Sequence, residues 1–268
     1  MSFPYKRCLL VGATSGIGAA MADKLIEEGV KVIAAGRRQE RLDAFVQKHG
    51  SEKASGVKFD ITDKGNMDAF VSQIVEDFPD LDCVFLNAGT QAQHRLSRPA
   101  EVVLEGFHAE FNTNFTSIVD LSLKFLPHLQ AKEQPTSLIF TGSNLAIVPA
   151  ATLPAYSASK AALNAYVCCL RAQNHRFGTK IIEIWPPVVQ TCAGELHDYV
   201  GKERGRSYGM PADQFANQVY VKLAAGEEEV IIGTVGRPDM EPLFREVAHG
   251  RKRLTDELSQ LMLSHFEL

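Results

Sequence analysis

An apolar run at 7–11 ends in Gly12-Ala13-Thr14-Ser15-Gly16-Ile17-Gly18 and passes without a break into an amphipathic segment. Glycines at the first, fifth and seventh places of a strand-to-helix turn meet three needs. Gly12 permits a tight turn, Gly16 lets the backbone approach a pyrophosphate, and Gly18 lets the helix pack close to the strand. A helix starting near Gly16 points its first N–H groups and its positive dipole end at that pyrophosphate. A structural turn can also be glycine-rich. The strand before and the helix after turn this one into a nucleotide cradle, with Gly12, Thr14, Ser15, Gly16, Ile17 and Gly18 as its wall.

The rest of the chain repeats the alternation. Short Val/Ile/Leu/Phe-rich runs fall at 7–11, 31–35, 56–59, 83–86, 137–141, 181–185 and 229–232. They lack strict polar alternation, as expected of strands covered on both faces. Helical patterns lie between them at 17–28, 40–49, 64–78, 103–130, 156–177 and 212–225. The order predicts an α/β protein: a doubly wound Rossmann fold with a seven-stranded, mostly parallel sheet and helices on both faces. With no repeat or linker, 1–268 reads as a single domain. The long irregular stretch 186–211 is expected to serve as a lid. A helical extension over 240–266 packs on the domain, caps the substrate site or reaches a partner.

Several classes of function drop out. A net charge of −4 with only short basic clusters argues against nucleic acid. No apolar run approaches the length of a membrane span, which argues against a membrane partner. The five cysteines, Cys8, Cys83, Cys168, Cys169 and Cys192, have no C-x-x-C spacing, so neither a metal site nor a disulfide framework is expected. With no signal-peptide pattern at the N-terminus, the expected location is cytoplasmic.

The second predicted strand runs into Gly36-Arg37-Arg38. An acid here would bond a free ribose 2′-hydroxyl, whereas arginine accepts a 2′-phosphate. Arg37 and Arg38 therefore favour NADP(H) over NAD(H). Asp60, followed by Ile61, suits an adenine amino group or a helix cap. Farther on, Tyr156 and Lys160 stand one helical turn apart. A phenol is a poor base near neutrality, and a neighbouring ammonium lowers its pKa toward useful proton transfer. Ser143 precedes Tyr156 at a strand end, and Asn114 lies in an earlier helix.

Taken together, Gly12, Gly16 and Gly18, Asp60, Asn87-Ala88-Gly89, Asn114, Ser143, Tyr156 with Lys160, and Pro186 with Thr191 resemble the short-chain dehydrogenase/reductase family, in its compact single-domain branch. The resemblance covers at least 7–191. It implies that Ser143 and Tyr156 hold a substrate oxygen, with Tyr156 as acid or base. It further implies that Lys160 binds the nicotinamide ribose, that Asn114 holds a water leading to Lys160, and that Asn87, Ala88 and Gly89 line the cofactor. Pro186, Val189 and Thr191 would close its nicotinamide end. The implied reaction moves a hydride between NADP(H) and a carbonyl or secondary alcohol of a small molecule. An apolar pocket wall at 145–153 points to a mainly apolar substrate. A homodimer or homotetramer is implied through helices 103–130 and 156–177.

Two departures stand out. Leu86 replaces the usual first asparagine before Asn87, and Pro187 replaces the usual glycine after Pro186, which alters the nicotinamide pocket or the hinge of the following loop. His94 reads as a surface histidine or a substrate contact. His197, Tyr199 and Tyr208 read as lid residues, and the Cys168-Cys169 pair as packing. Two rival functions share this fold: a lyase, isomerase or cyclase working without net redox change, and a nucleotide sensor without catalysis.

Overall fold

The structure is a computed structural model that describes residues 3–191 and 209–265. Its strands are β1 (Arg7–Val11), β2 (Lys31–Gly36), β3 (Ala54–Lys58), β4 (Cys83–Leu86), β5 (Thr136–Thr141), β6 (Thr179–Trp185) and β7 (Glu229–Ile231). Its helices are α1 (Gly16–Glu27), α2 (Gln39–His49), α3 (Met67–Asp77), α4 (Leu104–Phe111), α5 (Ser117–Gln130), α6 (Pro154–Gln173), α7 (Ala212–Ala224) and α8 (Glu241–Leu263). The strands form one sheet in the order β3-β2-β1-β4-β5-β6-β7. Every pairing is parallel, so the sheet is wholly rather than mostly parallel.

Successive side chains of a strand face opposite sides. Cys8 and Leu10 of β1 enter one core with Met21 and Leu25 of α1 and Phe215 and Val219 of α7. Leu9 and Val11 enter the other with Ile74 of α3, Leu121 and Phe125 of α5, and Leu163 and Val167 of α6. Both faces are thus buried, which explains the unbroken apolar runs. Cys8 and Cys83 stand opposite one another across β1 and β4 as buried free thiols.

Three elements differ from expectation. β3 starts at Ala54, and Gly56 is inside it rather than at its head. A Cβ at 56 would meet Leu42 Cβ at 3.0 Å, so this glycine admits α2 and does not break the strand. Helix 103–130 is interrupted by a π-turn at Asn112–Thr116. That stretch, Asn-Thr-Asn-Phe-Thr, has weak helix formers whose side chains bond elsewhere. Thr113 Oγ1 donates to the Ala109 carbonyl at 2.9 Å, and Asn114 is drawn to the loop after β4. α6 begins at Pro154, whose fixed φ suits a first helical position, two residues before Tyr156.

The sides of the 186–211 stretch that can be described are joined by a parallel bridge between Val189 and Met210. Cys192, His197, Tyr199 and Tyr208 lie outside the described residues. In the C-terminal extension, Phe244 and Ala248 of α8 pack with Trp185 and Ile231 at the ends of β6 and β7. Beyond them Leu254, Leu258 and Leu261 are exposed, and Phe266 lies outside the described residues. No helix among the described residues is long and apolar enough to cross a membrane.

Candidate active site

The site lies at the carboxyl ends of the central strands, beside the glycine turn. Gly12 N and Ala13 N both donate to the Ala35 carbonyl at 2.8 and 3.1 Å, tying the turn to β2. Gly12 has φ +89°, and a Cβ there would lie 2.6 Å from Ala88 N. A Cβ on Gly18 would lie 2.1 Å from the Gly12 carbonyl oxygen, so the helix seats on the strand only without one. Thr191 stands over the turn, 3.0 Å from where a Cβ of Gly16 would be. Ser15 is the N-cap of α1 but makes no side-chain cap, which leaves the first-turn N–H groups to an outside acceptor. Ile17 and Val189 pack against the α1-side core, and Ile61 is buried in the other.

At the end of β2, Arg38 donates through Nε and a terminal nitrogen to Thr14 Oγ1 at 3.1 and 2.7 Å, and to Ser15 Oγ at 2.7 Å. Arg37 extends to solvent, with a terminal nitrogen 3.9 Å from Asp60 Oδ2. Asp60 accepts from Thr62 N and Oγ1 at 2.9 and 2.8 Å. It caps no helix; Asp63 caps the following 3-10 turn.

Asn87 binds three strand ends together. Its Nδ2 donates to the Gly12 carbonyl at 3.1 Å, its Oδ1 accepts from Thr141 Oγ1 at 3.0 Å, and its backbone N donates to the Val11 carbonyl. Gly89 then passes between Asn114 and Lys160: a Cβ on it would be 3.3 Å from Asn114 Oδ1 and 3.7 Å from Lys160 Nζ. Pro186 accepts from Asn144 N at 3.1 Å. The ring of Pro187 sits against Gly233, where a Cβ would be 3.3 Å away, so a glycine after β7 makes room for the unusual proline.

Tyr156, Lys160, Ser143 and Asn114 come together from α6, the end of β5 and the π-turn. Lys160 Nζ donates to the Thr141 carbonyl at 2.6 Å and lies 5.7 Å from the centre of the Tyr156 ring. Ser143 Oγ accepts from Leu145 N at 3.1 Å and stands on the side of the Tyr156 phenol, where it favours the phenolate. Asn114 is fully buried. It accepts from Thr90 N at 2.8 Å and donates to the Thr90 carbonyl at 2.7 Å and to Ser159 Oγ at 3.1 Å. Its side chain therefore clasps the loop after β4.

The two titrating groups move apart. Burial pushes the Tyr156 phenol up to about 12, helped by the charge of Glu110 and opposed by the Ser143 hydrogen bond. Burial brings Lys160 down to about 8, opposed by Glu183. The phenol is thus raised, not lowered as the one-turn spacing to Lys160 suggested, because desolvation of the phenolate outweighs the Ser143 hydrogen bond that favours it.

Two buried acids escaped sequence reasoning. Glu110 of α4 accepts from Ala92 N at 3.1 Å and faces His94 Nε2 at 3.3 Å. His94 is no surface residue: its side chain is 7% exposed and its ring lies 5.0 Å from that of Phe107. Glu110 precedes Asn114 by one helical turn, a spacing that placed it on the same face. Glu183 of β6 is fully buried. Its signal was a lone acid inside the apolar run Ile181-Ile182-Glu183-Ile184-Trp185.

A wholly parallel doubly wound sheet, a glycine cradle at its first crossover and, beside it, buried Ser143, Lys160 and Asn114 with a half-buried Tyr156 define a dinucleotide-linked oxidoreductase architecture. The family model "short chain dehydrogenase" matches residues 6–197, and the chain belongs to that family, the short-chain dehydrogenases/reductases. The uncharacterized oxidoreductase DltE of Bacillus subtilis is 28% identical over 255 residues, covering 92% of this chain and 98% of its own. The serine 3-dehydrogenase of Agrobacterium fabrum is 32% identical over 184 residues, covering 68% of this chain and 72% of its own. A short-chain dehydrogenase/reductase from Burkholderia phymatum, solved with NAD, shares the fold with a TM-score of 0.78 at 20% identity, over 91% of this chain and 93% of its own.

Proposed function

We propose that this oxidoreductase uses NADP(H) to interconvert a carbonyl and a secondary alcohol on a mainly apolar small molecule, with Tyr156 as the proton-transferring group. The observation that carries this reading is the convergence of Tyr156, Ser143 and Lys160 at the strand ends beside a cradle that side chains would fill. The cradle suits a dinucleotide: Gly12, Gly16 and Gly18 leave backbone room, and the first-turn N–H groups of α1 carry no side-chain cap. The bound nicotinamide supplies or accepts the hydride. Asn87, Ala88, Gly89, Pro186, Val189 and Thr191 would wall its pocket, and Lys160 would hold its ribose.

Tyr156 does the rest of the chemistry from this chain's own atoms. A phenol held near 12 is protonated throughout the neutral range, so it is present in the form that gives a proton to a carbonyl oxygen. Ser143, on the same oxygen, orients the substrate. The buried ammonium of Lys160 offsets the charge left on the phenolate. The neutral-pH form of the site is therefore the one that can donate a proton in the reductive step. Leu145 and the exposed Val148 offer the apolar contact expected of the pocket wall.

The fold does not decide between NADP(H) and NAD(H). The argument rests on the end of β2, where the solvent-exposed Arg37, held by a 3.9 Å ion pair to Asp60, would meet a 2′-phosphate and Arg38 braces Thr14 and Ser15. A homodimer or homotetramer also belongs to this reading. Ala158, Ala165 and Cys169 stay exposed along α6, and Leu123 along α5. The free thiols Cys8 and Cys83 fit a reducing cytoplasm. The test is oxidation of NADPH by purified protein over a panel of ketones and aldehydes. Turnover supports the proposal. Tight NADPH binding without turnover of any carbonyl would point instead to non-redox chemistry or to a sensor.

A further inference from the structure

Glu183 is the charged group least explained by the site as described. It stands in β6 with no exposed surface, two residues after Ile181, and therefore on the sheet face that carries α5 and α6. A carboxyl in such a place is unfavourable unless something there needs it. Its neighbours belong to the reacting side of the molecule. Asn164, one turn beyond Lys160 on α6, donates Nδ2 to Glu183 Oε2 at 2.7 Å. Glu183 Oε1 presses on Gly142, the residue before Ser143, where a Cβ would be 2.3 Å away. Lys160 in turn donates to the carbonyl of Thr141, the residue before Gly142. Carboxyl and ammonium therefore both adjoin the Thr141–Gly142 peptide unit, by which β5 leads toward Ser143. Glu183 Oε1 has no hydrogen-bond partner among the described residues, and the Trp185 indole N–H, though turned toward the carboxyl, does not reach hydrogen-bond geometry.

We propose that Glu183 is a positioning residue, whose buried carboxylate keeps Lys160 in the ammonium form and seated on the Thr141 carbonyl. The inference rests on the reading of Lys160 as part of the reacting site. Glu183 is the group that opposes the downward effect of burial on Lys160. Its own carboxyl is raised, chiefly by burial and further by Glu229, while Asn164, Trp185 and Arg171 work the other way. Arg171 of α6 pairs with Glu229 of β7 at 2.8 Å and also adjoins Glu228 at 3.9 Å. Cys168, on α6, is pushed up to about 11 by burial and stays a neutral thiol. Glu110, on α4, acts on Tyr156. Glu183 remains as the charge that acts on Lys160.

The test titrates Lys160 without turnover. In the full chain with ¹⁵N-labelled lysine side chains, the Nζ resonance missing from Lys160→Arg identifies Lys160, and its expected midpoint is about 8. In Glu183→Gln the midpoint falls by about one pH unit or more. Glu183→Asp, which keeps the charge, recovers most of that fall. Asn164→Ala removes the donor that favours the ionised carboxyl and lowers the midpoint by less. The alkaline limb of kcat/KM for carbonyl reduction moves with the Lys160 midpoint in each variant. An unchanged midpoint in Glu183→Gln overturns the proposal; where that variant does not fold, an unchanged midpoint in Asn164→Ala does so. A midpoint that falls in Glu183→Gln, where the wild-type protein reduces no carbonyl, establishes the coupling and refutes only the proposed reaction.

Discussion

Arg38 shows how a residue's contacts reshape a simple design rule. Placing an acid at the end of β2 is the direct way to favour NAD(H), and Gly36 is the position for it. A Cβ on Gly36, however, would lie 2.7 Å from Thr14 Cγ2, and Thr14 is held in place by the Arg38 fork. Gly36→Asp alone should therefore lower stability and weaken binding of both cofactors. Gly36→Asp with Arg38→Ala, which frees Thr14 to turn, should shift preference toward NADH. Arg37→Ala should reduce the NADPH-to-NADH ratio of kcat/KM by about ten- to a hundred-fold, the loss of one charge-assisted phosphate contact. Cofactor kinetics on these variants check the set, and an unchanged ratio in Arg37→Ala places the 2′-phosphate elsewhere.

Elements explain what the sequence conveyed and what it hid. β1 and β4 follow the apolar runs to the residue, because strands buried on both faces have no polar position to blur their ends. The glycine turn, Asn114, Ser143, Tyr156 and Lys160 were visible because their spacing is local or their types are unusual. Contacts between distant segments left no local trace. The interruption of helix 103–130 depends on Asn114 reaching Thr90, and the true place of Gly56 depends on Leu42. Glu110 and Glu183 look like ordinary charges until the elements that bury them are assembled. Pro187 read as a disturbance because the glycine it packs against, Gly233, lies far along the chain. The same logic gives a test at the end of β5. Gly142→Ala would drive a methyl group to 2.3 Å from Glu183 Oε1, and overpacking of this kind destabilises by about 1–3 kcal/mol. Urea unfolding should show that loss, and Glu183→Ala in the same chain should recover part of it. Full stability in Gly142→Ala alone would mean that the carboxyl is not held against this turn.

At the level of the whole molecule, two surfaces remain to be covered, the outer faces of α5 and α6 and the second half of α8. Tyr166 OH and Ser122 Oγ, 2.8 Å apart, lock α5 to α6, so the two helices present one continuous face. Pairing of that face about a two-fold axis would brace the helices that carry Tyr156 and Lys160. Light scattering at micromolar concentration should give at least twice the 29.4 kDa of one chain, and a monomer would remove the brace from the account. At the centre of the proposed function stands a single chemical act, proton transfer by Tyr156 next to a bound nicotinamide. Its test is Tyr156→Phe, which deletes one hydroxyl, measured for NADPH binding by fluorescence and for carbonyl-dependent NADPH oxidation. The account predicts unchanged binding and turnover reduced by about 10²–10⁴-fold. Turnover near that of the wild-type protein would contradict it.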